Sequence, residues 1–180
     1  MRLTESYSQA GQDFAAAEVC NKRNGFFLDL GCNDPVFHNN TYALELELDW
    51  TGILLDINGP LIKKCMEQRS PDNKYLTVDL IHTNINDVLD QLSCPNWIDY
   101  ISFDVDAATT TVLDQIDLSL YQFGFMTFEH DSYRLGSDLK IRMTEKALEY
   151  GYIMYREDVP ADQGEIFEDW WIHPSVQAVL

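Results

Sequence analysis

The feature that most limits the fold is an alternation. Short apolar runs that carry or close on a carboxylate are separated by longer stretches of helical pattern. Phe26–Leu30 (FFLDL), Ile53–Ile57 (ILLDI), Tyr75–Leu80 (YLTVDL) and Ile98–Asp104 (IDYISFD) each reach an Asp, and Phe125–Glu129 (FMTFE) reaches a Glu. Runs this short, rich in β-branched and aromatic residues, read as strands buried on both faces. Helices are expected at about Gln12–Lys22, Tyr42–Leu48, Pro60–Gln68, Ile85–Leu92, Thr109–Leu120 and Leu139–Glu149. Strands alternating with helices imply right-handed crossovers and a parallel sheet covered on both faces. The end of the chain breaks the rhythm. Tyr152–Arg156 and Ile166–Ile172 are strand-like, and the link between them, Val159–Gly164, is too short for a crossover helix. The last two strands are therefore expected as an antiparallel hairpin, giving seven strands in all.

At 180 residues and 46% hydrophobic content, the expectation is one α/β domain spanning 1–180. A helical N-terminal segment, about 1–24, should pack on its core. No run reaches the ~18 apolar residues of a membrane span. Residues Met1–Gln12 are polar, unlike a signal peptide. Cys20, Cys32, Cys65 and Cys94 lie far apart with no C-x-x-C, which favours a reduced, cytoplasmic setting over a structural zinc site.

The charge is lopsided. Thirty Asp and Glu oppose 12 Lys and Arg, a formal net charge of −18. From Tyr75 to Tyr133 there is no Lys or Arg, but there are ten carboxylates. Nucleic-acid binding draws on a basic footprint, so the expectation is no nucleic-acid partner. Docking on anionic lipid is disfavoured for the same reason, so no membrane partner is expected. A cationic or neutral small ligand suits this field better.

In open α/β sheets, ligands bind beyond the carboxyl ends of the strands. Asp29, Asp56, Asp79 and Asp104 sit at or near those ends. One such Asp is often just the cap of the next helix. Four in sequence would be gathered into one cleft by the shared sheet edge. The first turn, Asp29-Leu-Gly31-Cys-Asn33-Asp-Pro35, has one glycine where a dinucleotide fingerprint needs G-x-G-x-x-G. That disfavours a nicotinamide-dependent oxidoreductase. Asp56 stands where a carboxylate accepts the hydroxyls of a ribose. A phosphate-free, cationic nucleoside fits such a cleft, and S-adenosylmethionine is one.

Several segments also resemble one family. Ser8-Gln-Ala-Gly-Gln12-Asp13 resembles an S-Q-x-G-x-D start, and Gly25-Phe-Phe-Leu-Asp29-Leu-Gly31-Cys-Asn33 a glycine motif. Asn40-Thr41-Tyr42 with Glu45, then Trp50-Thr-Gly52-Ile-Leu-Leu-Asp56, resemble N-T-x-x-L-E and W-x-G-I-x-x-E/D. Asp99-Tyr-Ile-Ser-Phe-Asp104-Val-Asp106 resembles D-Y-L-S-I-D-x-E. Phe128-Glu129-His130-Asp131 and Phe167-Glu168-Asp169-Trp170-Trp171 resemble later E-H-D and E-D-W segments. In order and spacing, over nearly the whole chain, these resemble the FkbM family of S-adenosylmethionine-dependent methyltransferases. Two positions depart from it: Pro35 replaces a glycine, and Asp106-Ala107-Ala108-Thr109 replaces E-G-x-E. Pro35 stiffens its loop, and Ala107 resists a positive φ.

The resemblance implies a Rossmann-like class I methyltransferase fold. The activity implied is O-methylation of a small hydroxyl acceptor, a sugar or glycan. The alternative is a cofactor-binding or regulatory module with weakened catalysis, motivated by the two departures. By resemblance and position, Gly31 and Asn33 line the methionine end of the cofactor, with Asp29 shaping the turn. Asp56 holds the ribose, Ile57 flanks the adenine, and Asp79 and Leu80 border its edge. Asp104 faces the amino group or the methyl-transfer site. Thr41 and the N-terminal Gln9 and Gln12 belong to the same expected site. His130 is the candidate base, because an ordinary histidine titrates near neutral pH. Asp104, Glu129 and Asp131 are the alternative, as oxygen ligands for Mg²⁺. His38 is a second candidate near the acceptor, with a plain loop residue the simpler reading.

Overall fold

The computed structural model describes residues 1–161 and 163–177. The described strands form one seven-stranded sheet: β1 (Phe26–Leu30), β2 (Thr51–Asp56), β3 (Lys74–Thr77), β4 (Trp97–Phe103), β5 (Gln122–Glu129), β6 (Ile153–Pro160) and β7 (Ile166–Ile172). The spatial order is β3-β2-β1-β4-β5-β7-β6. The first five strands pair in parallel, and β7 runs antiparallel to both β5 and β6. The helices are α1 (Gln12–Cys20), α2 (Tyr42–Leu48), α3 (Gly59–Gln68), α4 (Ile85–Gln91), α5 (Thr109–Gln115), α6 (Ser132–Leu135), α7 (Asp138–Glu149) and α8 (Pro174–Gln177). No helix among the described residues is long and apolar enough to cross a membrane.

The strands are apolar on both faces because each face is covered. Phe27, Leu54, Tyr100, Phe125 and Trp170 pack toward α1, α2 and α3. Leu28, Leu30, Ile53, Leu55 and Ile101 pack toward α4, α5 and α7. Each fully buried side chain of this size contributes roughly 1.5–3 kcal/mol by leaving water. Trp170 and Trp171 are adjacent in β7 and so point to opposite faces, one into each layer.

Three boundaries depart from the sequence pattern. β3 ends at Thr77, so Asp79 lies in the loop beyond it. α5 stops at Gln115 rather than near Leu120. There the Asp117 carboxylate accepts the Ser119 and Leu120 amides at 2.9 and 3.3 Å, a local turn that competes with the helix. β6 continues past Arg156 to Pro160, through register shifts against β7. It is an edge strand, where charges such as Arg156, Glu157 and Asp158 and local irregularity discourage pairing with another chain.

Candidate active site

The strand order reverses between β1 and β4, and a cavity of about 350 Å³ opens beyond the strand ends on this side of the sheet. Its walls are the loops that follow the first four strands. Gly31 and Asn33 come from the first, Asp56 to Asn58 from the second, Val78 to Ile81 from the third and Asp104 to Ala108 from the fourth. Its volume is at the small end of cofactor sites.

Gly31 is what lets the walls meet. Its φ is +82°, and a Cβ there would sit 1.6 Å from the Asp104 carbonyl oxygen. Asn33 follows in a left-handed conformation, φ 50°. Its N–H donates to Asp56 Oδ2 at 2.9 Å, and the Asn58 N–H donates to Asp56 Oδ1 at 2.7 Å. Both carboxylate oxygens are thereby aimed, and each keeps a free lone pair. Asp79 Oδ1 accepts the Ile81 N–H at 2.9 Å, and its Oδ2 lies 2.9 Å from His82 Nδ1.

The opposite wall is acidic. Burial raises the Asp104 pKa; a hydrogen bond with Glu129 opposes that, and Asp106, Asp131 and Asp56 reinforce it. Burial and the neighbouring Asp104 raise the Glu129 pKa as well. Glu129 lies directly opposite Glu168 on β7. Burial pushes Glu168 up to about 8, against hydrogen bonds from Trp170 and Gln12. A positive φ expected to trouble Ala107 falls on Asp106 instead, at 45°. Ala107 sits in a 3-10 turn, Asp106–Ala108.

Of the residues singled out from the sequence, Gly31, Asn33, Asp56, Ile57, Asp79, Leu80 and Asp104 line this cavity. Others do not line it. Asp29 is 2% exposed and its Oδ2 accepts the Thr41 hydroxyl at 2.7 Å, behind the cleft. Thr41 is fully buried in that same contact. Gln9 is not among the lining residues. Its neighbour Gln12 is turned inward, accepting the Ala10 N–H at 2.7 Å. His130 is fully buried: its Nδ1 accepts the Ser132 N–H at 3.1 Å, and its Nε2 lies 3.6 Å from Asp169. So enclosed, His130 is not among the side chains that line the cleft. The Mg²⁺ alternative is also unsupported. No group of three His, Cys, Asp or Glu side chains among the described residues is arranged to hold a metal ion. Asp131 instead pairs with Arg134.

Sequence reasoning missed Arg69, Asn39 and Glu45 as a buried network behind the first loop. A single Arg at a helix end carries no motif. It also missed Asn58 as a cleft residue, although Asn58-Gly59-Pro60, one residue beyond Asp56, is a readable helix start.

Among the described residues no Lys, Arg or His lines the cleft, whereas Asp56, Asp79, Asp104 and Asp106 do. The donor set fits a cationic, phosphate-free nucleoside. No protein-family model and no curated protein matches the chain. Solved structures do. A TehB-like SAM-dependent methyltransferase from Corynebacterium glutamicum superposes with TM-score 0.60 at 14% identity, covering 94% of this chain and 89% of that one. The fold is that of the class I S-adenosylmethionine-dependent methyltransferases. An rRNA methylase from Streptococcus thermophilus gives TM-score 0.57 at 10% identity, over 88% of this chain and 93% of that one. M. capricolum TrmK, in complex with S-adenosyl-homocysteine, gives 0.58 at 12%, over 89% and 68%.

These neighbours correct the exclusion of nucleic acid. The class I fold here is shared with rRNA methylases, so a net charge of −18 does not remove nucleic acid from the partners of such a chain. Net charge averages over the whole surface, while binding depends on the local field at one face.

Proposed function

We propose that the protein is an S-adenosylmethionine-dependent O-methyltransferase acting on a small hydroxyl acceptor, a sugar or glycan. The observation that carries the reading is the cleft: Asp56 is aimed by two backbone amides, and no basic side chain among the described residues lines the wall. Fold neighbours described as methyltransferases support the cofactor. The FkbM-like motifs support oxygen as the acceptor atom.

In this reading Asp56 holds the ribose hydroxyls. Ile57 and Leu80 flank the adenine, and Asp79 borders its edge. Gly31 and Asn33 receive the methionine end, and Asp104 faces its positive charge. When bound, the cofactor supplies an electrophilic methyl group. The chain's own task is to bind, to orient the hydroxyl in line and to take its proton. With His130 enclosed, Asp104 is the carboxylate placed for that proton.

Calorimetry with S-adenosylmethionine is the first test, and no heat at millimolar ligand would sink the reading. Turnover on a panel of glycans, small alcohols and structured RNA is the second. Methylated RNA with no methylated glycan would replace the acceptor class. A cofactor-binding module without catalysis is the second reading, favoured by the burial of His130 and the Asp106–Ala108 turn. It predicts binding without product on the whole panel.

A further inference from the structure

Arg69 is the only Lys or Arg in the buried interior among the described residues. It ends α3, and its guanidinium reaches under the loop that follows β1. Nε donates to Glu45 on α2 at 2.9 Å. Nη1 donates to the Pro35 carbonyl at 3.3 Å and to Asn39 Oδ1 at 3.2 Å. Nη2 donates to the Thr41 hydroxyl at 3.1 Å, and that hydroxyl donates to Asp29 Oδ2 at 2.7 Å. The guanidinium also lies over the rings of Phe27 and Tyr42, at 5.8 and 5.4 Å.

The bond to Asn39 reaches the cleft. Asn39 Nδ2 donates to the carbonyls of Cys32 and Asp34, each at 3.0 Å. Those two residues flank Asn33, whose N–H aims Asp56. Fixing Asn39 therefore fixes both neighbours of Asn33. Water cannot replace Arg69 at such depth, and a lysine cannot present three nitrogens in a planar fork.

We infer that Arg69 is a positioning residue for the cleft: it locks the 33–41 loop through Asn39 and Thr41, so that Asn33 stays bonded to Asp56. The inference rests on the reading of the cleft as a cofactor site. Asp29 reports on the lock. Burial pushes it up to about 6, while Thr41 and Arg69 pull it down and Asp104 and Asp56 push it further up. The Cys32 and Cys65 thiols also face this region.

The test uses Arg69→Lys, Arg69→Met and Thr41→Val in the full chain. Three readouts apply: amide exchange across residues 33–41 against the β6–β7 hairpin, the Asp29 titration followed by NMR, and affinity for S-adenosylmethionine. Arg69→Lys keeps the charge and loses the fork. It should speed exchange in the loop by about tenfold and weaken the cofactor by about tenfold, with the hairpin unchanged. Arg69→Met should also move the Asp29 midpoint upward. Should it fail to fold, Thr41→Val removes the hydroxyl that accepts from Arg69 and donates to Asp29, and should shift the same midpoint upward. Wild-type loop exchange in Arg69→Lys, or an unmoved Asp29 midpoint in both other variants, overturns the inference. If the wild-type protein binds no S-adenosylmethionine, the cofactor reading falls by itself, while loop exchange still decides what Arg69 does.

Discussion

Behind β1 and β2, the buried carboxylates of Asp29 and Glu45 are matched by a guanidinium. Behind β4 and β5, the carboxyls of Asp104, Glu129 and Glu168 lie among further carboxylates, Asp106, Asp131 and Asp169, and Glu168 accepts from the neutral donors Trp170 and Gln12. The first wall is held by fixed hydrogen-bond geometry. On the second, burial and like charges at close range raise the carboxyl pKa values and so favour the protonated forms. Shape should therefore be lost by mutation on the first side and by alkali on the second.

The strongest way to break the comparison is at the residue that joins the walls. Gly31→Ala puts a Cβ 1.6 Å from the Asp104 carbonyl at a φ of +82°. It should cost about 4 kcal/mol or more, or abolish cooperative unfolding, as read by urea denaturation.

Glu168 tests the second wall. Its folded pKa, about 8, lies above the ordinary 4.5, so folding favours the protonated form. That contribution is fully present below the unfolded value and is lost as pH rises through the folded one. Glu168→Gln stays neutral and still accepts from Trp170. The variant should gain on the order of 3 kcal/mol over wild type near pH 9 and nothing near pH 4. Paired denaturation curves at the two pH values check this; a difference independent of pH would remove the contrast.

Asp56 lines the cavity between the two walls, and in the proposed function it holds the ribose. Asp56→Ala should weaken S-adenosylmethionine by roughly 30-fold in calorimetry, with unfolding little changed. The smallest effect sharpens what holds the first wall. Asp34 and Lys64 pair at 2.5 Å on the outer side of the loop, with side chains 29% and 44% exposed. Lys64→Ala should cost only about 0.5 kcal/mol and change affinity by less than about twofold. An effect as large as that of Arg69→Lys would mean the loop is fixed from outside.

Much of the sheet was legible because its signals are local. The bounds of β1, β7 and α2 match the apolar runs that announced them. The reversed last strand followed from a link too short to cross over. The end of α5 was missed because Asp117 makes its own turn, a choice that hydrophobic period does not encode. At the site, strand-end position brought Asp56, Asp79 and Asp104 together. Asp29, one residue short of the end of β1, is turned to the other face, where it holds the turn through Thr41 and does not line the cavity. His130 looked like a base by chemistry, but its exposure depends on how β7 and α6 close over it. Arg69 was invisible because its hydrogen-bond partners, Pro35, Asn39, Thr41 and Glu45, lie 24 to 34 residues upstream, beyond any local motif.

The tandem tryptophans of β7 have a practical consequence. Trp170 reports on the layer under α1 and Trp171 on the layer under α7, with 2% and 1% exposure. With Trp50 and Trp97 replaced by Phe, their shared emission is an optical gauge of both layers from adjacent backbone positions. A single melting transition in that signal would mean that the two layers let go together. Two transitions would time which side of the sheet opens first.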